Sequence, residues 1–161
     1  MHAYRIECDL SGHTGHRMSN TLYERDFYAW ANEQAALLRA GKLNCADIDN
    51  IAEEIESTGR GEKCELINRL TALLLHLLKW QFQPERRGKS WRITIEQQRD
   101  DIDEHLADNP SLKLLVAGAI ASAYRKARLE AERETDLDRS TFPATCPFTF
   151  EQMRDEAFWP E

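Results

Sequence analysis

Glu53, Glu54 and Glu56, with Asp49 one turn earlier, place four carboxylates within eight residues. On a helix, positions 49, 53 and 56 stand at i, i+4 and i+7, so three of the four share a face. Carboxylates from one helix and an imidazole from its neighbour suit a divalent cation, and His76, embedded in the apolar run Leu73–Leu78, is the donor the spacing offers. The set lacks the Glu-x-x-His repeats of di-metal bundles, and Glu104-His105 points its two side chains about 100° apart on a helix. Asp101 with His105 at i, i+4 is a weaker pair still. The expectation is therefore that no metal and no cofactor is held. Glu53 and Glu56 then pair with arginines from the basic half of the chain. His76 is then a core histidine whose ring is expected to contact a carboxylate of residues 49–56.

A second constellation alternates cations with aromatic faces around the breakers Pro84 and Gly88: Lys79, Trp80, Phe82, Arg86, Arg87, Lys89, Trp91 and Arg92. Single-stranded nucleic acid is bound by such mixtures of phosphate contacts and stacking. A domain's own turn uses the same residues when Trp80 and Trp91 pack on each other around an arginine. The net charge of −7 opposes a general nucleic-acid coat. Residues 60–92 carry eight Lys/Arg against three Glu, whereas 22–58 and 93–108 are acidic on balance. Neighbouring helices of opposite charge are expected to attract one another. Nucleophilic catalysis has little support: nothing links Cys64 or Cys146 to His76, and there is no G-x-S-x-G or phosphate loop.

Helices must position these groups. Thr21 with Glu24, Asn44 with Asp47 and Thr149 with Gln152 have capping-box spacing, Leu43/Ile48 and Phe148/Met153 have staple spacing, and Asn109-Pro110 is a further start. Helices are predicted over about 22–40, 45–58, 61–82, 90–107, 110–135 and 150–158, with Gly41 and Gly59 as stops. The third is apolar on most of its circumference (66, 67, 70, 73, 74, 75, 77 and 78) and belongs at the centre. The second should bury Ile48, Ile51, Ala52 and Ile55; the fourth, Trp91, Ile95, Ile102 and Leu106, with Gln98 beside them. The small residues of 117–123 permit close helix approach, and Pro143 and Pro147 make 141–148 an extended strap. The fold class expected is all-α: a compact bundle of five to six helices around a central Leu-rich helix, with a proline-rich C-terminal strap.

At 161 residues the chain is one domain by length, read as a single helical domain over 19–161 after a disordered or upstream-start leader, 1–18. In that leader Cys8, His13 and His16 have spacings a zinc ion accepts, but only His2 offers a fourth ligand, so no metal is assigned. Met18 is a possible second start, and a chain beginning there is expected to melt within a few degrees of the full one. Cys8, Cys45, Cys64 and Cys146 form no C-x-x-C, and no secretory leader is legible, which favours a reducing cytoplasm. No apolar run reaches the roughly 20 residues a membrane helix needs.

With the helices placed, residues 22–158 resemble the bacterial family catalogued as domain of unknown function 29. The resemblance is carried by Tyr23-Glu24-x-Asp26-Phe27-Tyr28-x-Trp30, Gln34-Ala35-x-Leu37-Leu38-Arg39, Ile51-Ala52-Glu53-Glu54-Ile55-Glu56, His76-Leu77-Leu78-Lys79-Trp80, Gln83-Pro84, Ser90-Trp91, Gln98-Arg99 and Pro143-x-x-Cys146-Pro147. It implies an all-helical soluble domain and brings no catalytic residues. The functional expectation is a non-catalytic module for protein–protein interaction with an unidentified protein partner, away from membranes. The alternatives are an enzyme or ligand binder using Asp49, Glu53, Glu56 and His76, and a nucleic-acid binder using the 79–92 rim.

Overall fold

The computed structural model describes residues 22–161. The leader, its Cys8/His13/His16 set and the cap at Thr21 lie outside the described residues. Among those described, all regular structure is helical, and no helix is long and apolar enough to cross a membrane. The chain divides into two compact units, one ending at Gly59 and the other beginning at Arg60.

In the first unit, residues 22–25 make a helical turn, but helix α1, Phe27–Arg39, starts after Asp26. The carboxylate of Asp26 accepts from the Ala29 amide at 3.0 Å, so an aspartate three residues before an unpaired N–H sets the start. Gly41, at φ 70°, ends the helix, and the amides of Gly41 and Lys42 donate back to Leu38 and Leu37. Helix α2 spans Ile48–Phe82, and its first residues belong to this unit. The predicted apolar face of 48–55 is corrected: Ile48 and Ile55 are exposed, and Ile51 is half-buried. Polar contacts organise this unit instead. Asp47, 3% exposed, accepts from Trp30 Nε1 at 3.3 Å and Asn50 Nδ2 at 2.7 Å, while its own amide donates to Gln34 Oε1 at 2.9 Å. Tyr23 meets Trp30 edge-on, 4.8 Å between centroids, and donates its hydroxyl to Glu54. That bond to a carboxylate, with the other acidic groups around it, pushes the phenol up to about 12.

The stop predicted at Gly59 is also corrected, because α2 runs unbroken through Thr58-Gly59-Arg60-Gly61. Glycine weakens a helix by about 1 kcal/mol relative to alanine but stops it only where the backbone turns left-handed. Gly41 does so and neither Gly59 nor Gly61 does.

The second unit is built on the Leu-rich part of α2. Leu66, Leu70, Leu73, Leu74, Leu77 and Leu78 are fully enclosed, as the apolar circumference required. Helix α3, Lys89–Asp108, contributes Ile95, Ile102 and Leu106 to the same core. A 3₁₀ segment, Pro110–Leu115, precedes helix α4, Val116–Glu134, where a single helix over 110–135 was expected. Asn109 supplies no side-chain cap; its amide donates instead to the His105 carbonyl and to Glu62. Ala119, Ala123, Ala127 and Ala131 of α4 are buried in the core, so small side chains at four-residue spacing do allow close packing. The chain then passes through Pro143 and Pro147 into helix α5, Phe150–Arg154, whose capping box is complete: Gln152 N–H donates to Thr149 Oγ1, and Thr149 N–H to Gln152 Oε1. Phe142, Phe148 and Met153 seal the core from this side.

Candidate functional site

The carboxylates Asp49, Glu53 and Glu56 lie on exposed turns of α2 in the first unit, and His76 lies on the same helix in the second. The helix is continuous from Asp49 to His76, through the stop expected at Gly59. The Nδ1–H of His76 is placed to donate to its own helix, at Ala72 O, 2.8 Å away. Burial lowers the imidazole pKa from 6.5, against the opposing pull of that carbonyl; Lys79 lowers it further and Glu134 raises it. Asp101 and His105, the weaker pair, serve different partners. Asp101 meets Arg69 at 2.8 Å, and His105 Nε2 lies 2.9 Å from Glu62 O. Among the described residues no three His, Cys, Asp or Glu side chains converge as metal ligands would.

The basic–aromatic rim is largely engaged within the second unit. Lys79 is buried, pairs with Glu134 at 2.9 Å and lies 4.8 Å over Trp91. Trp80 packs against Trp159 with the rings tilted by 45°, 4.7 Å between centroids, and Arg87 lies over its ring. This corrects the expected Trp80–Trp91 pair: the two tryptophans take different cations, and the ring facing Trp80 comes from the C-terminus. Arg87 also donates to Trp80 O and Pro160 O. Arg86 reaches Asp136, and Arg92 reaches Glu96, both at 3.7 Å; these pairs and Lys89 are exposed.

The residue missed by sequence reasoning is Arg99. At 2% exposure it is among the largest fully enclosed side chains, and it donates to three backbone carbonyls: Met153 at 2.8 Å, Glu156 at 3.4 Å and Phe158 at 2.6 Å. Its position was legible. Residues 95, 99, 102 and 106 form one i, i+4, i+7 stripe, so Arg99 rather than Gln98 faces inward; Gln98 is half-buried and donates to Asp101.

A groove of about 850 Å³ runs between α3, the start of α4 and the C-terminal segment. Its apolar lining includes Leu106, Val116, Ile120, Phe148 and Phe150, and charge enters through Lys113, Glu151 and the Arg154–Asp103 pair. The Asp103 carboxylate raises the Arg154 pKa further, so the guanidinium stays charged. Cys146 is also on the wall. Its thiol donates to Phe148 O and burial pushes its pKa up, so it is a protonated thiol and not a ready nucleophile.

No curated protein and no solved structure gives a significant match to the chain. A family model does match, over residues 22–159, and the chain belongs to that family, described as Domain of unknown function DUF29.

Proposed function

We propose that this chain is a non-catalytic protein–protein interaction module that receives an amphipathic segment of another protein in the groove between α3, α4 and the C-terminal segment. The observation that carries this reading is the groove itself, with an apolar lining and charged groups at Lys113, Glu151 and Arg154–Asp103. A helix lays apolar side chains at i, i+3, i+4 and i+7 into such a surface and meets the surrounding charges with its polar flanks. The titratable groups beside the groove favour binding over chemistry, since Cys146 is held protonated and Arg154 is paired. The partner is a protein and not a nucleic acid, because Lys79 and Arg87 of the 79–92 rim are committed to internal partners and the net charge of −7 repels phosphates. A cytoplasmic location belongs to the same reading.

Photo-crosslinking in cells tests it. A photoreactive phenylalanine analogue at position 117, on the groove wall, should give a discrete protein adduct, whereas the same group at the exposed position 126 should not. Equal adduct patterns at both positions, or none at 117, would remove the groove as the docking site.

A further inference from the structure

We propose that the C-terminal arm, residues 148–160, occupies a peptide-binding site on its own chain, and that this site also accepts the arm of a second copy, so that two chains associate by exchanging arms. Phe148, Phe150, Glu151 and Arg154 of the arm also form a wall of the groove described above, and in an exchanged pair the second copy's arm supplies that wall.

Arg99 carries the argument. Its guanidinium is enclosed, yet every hydrogen bond described for it goes to a backbone carbonyl of the arm, at Met153, Glu156 and Phe158. The arm both covers this cation and supplies its acceptors, so a segment that replaces it must offer carbonyls in the same places or leave a buried charge unpaired. Carbonyls carry no side-chain identity, and any chain with the arm's backbone path satisfies them. Identity comes from the anchor: Trp159 is held between Trp80, 4.7 Å between centroids, and Arg99, 5.2 Å from the ring, while Arg87 donates to Pro160 O. The arm of a second copy supplies all of these groups.

The connection permits the exchange. Residues 143–147, bounded by Pro143 and Pro147, contain no helix, and each proline restrains its predecessor to extended backbone. Opening this hinge uncovers the part of the core that Phe148 and Met153 seal, and the arm of a second copy covers it again. A short tether holds the arm at an effective concentration on the order of millimolar, so the closed single chain dominates in dilute solution and exchange grows as protein approaches that level.

The test uses the full chain and a fluorescent peptide with the sequence of residues 148–161. Sedimentation at protein concentrations up to about 1 mM should reveal a dimer, and excess peptide should convert it to peptide-bound monomer. Trp159→Ala, which loosens the chain's own arm, should raise peptide affinity at least about tenfold, and adding Arg99→Met should abolish it, with helicity monitored by circular dichroism. A wild-type chain that stays monomeric and binds no peptide at about 1 mM overturns the proposal, whatever the variants do. So does a dimer that excess peptide leaves intact.

Discussion

Leu74 and His76 stand two positions apart on α2, and the difference between them shows how much a single side chain's surroundings decide. Leu74 is fully enclosed. Truncating it to alanine removes its transfer energy and leaves a cavity, so Leu74→Ala should lower stability by about 2–5 kcal/mol in urea unfolding. A change under about 1 kcal/mol would contradict the enclosed position. For His76 the folded-state pKa is lowered from 6.5 by burial. As pH falls below about 6.5, the unfolded chain takes up the proton first, so stability declines until the pH reaches the folded pKa and is level thereafter; above about 6.5 the group has no effect. Wild-type protein should therefore lose more stability than His76→Gln between about pH 7 and pH 5, measured by denaturation at each pH. Parallel profiles would show that the ring is not desolvated. The leucines were legible because repetition at helical spacing identifies burial. The partner of His76 was not, because a carbonyl one turn back leaves no trace in residue identity.

At the level of elements, caps were legible where one residue type has one use. The box at Thr149 and Gln152 formed as its spacing required. Stops were less so, since glycine marks either a left-handed turn or an ordinary weak point in a helix, and only the backbone separates Gly41 from Gly59 and Gly61. This difference is measurable. A Cβ added at Gly59 or Gly61 meets nothing within 4 Å, and neither residue has positive φ. Gly59→Ala and Gly61→Ala should each stabilise the protein by roughly 0.5–1 kcal/mol and raise helicity, whereas Gly41→Ala should destabilise it. If Gly59→Ala destabilised instead, α2 would be broken there in solution. Asp47 illustrates the same ambiguity: capping-box spacing made it a partner of Asn44, and the structure spends it on Trp30 and Asn50. Both uses need an acceptor close to a helix start, and local sequence does not choose between them.

At the scale of the whole molecule, the charge distribution was legible and its purpose was not. The basic stretch 60–92 does meet acidic groups: Lys79 finds Glu134, Arg69 finds Asp101 and Arg86 finds Asp136. The partners are spread through sequence far from the rim, as is Trp159 against Trp80, and helical spacing carries no information about such pairings. What remains accessible at the rim is Arg86, Lys89 and Arg92, with two long exposed ion pairs that each contribute little to stability. Nucleic-acid affinity rests on neutralising several phosphates at once, and releasing Lys79 or Arg87 for that purpose would leave Glu134 and the Pro160 carbonyl without their donors. With a net charge of −7 adding long-range repulsion, binding to short single strands should be negligible at physiological ionic strength. Fluorescence anisotropy across a salt series checks this. Submicromolar binding that weakens steeply with salt and disappears in the Arg86→Ala/Arg87→Ala double variant would displace protein–protein interaction as the leading reading and make the 79–92 rim a nucleic-acid interface.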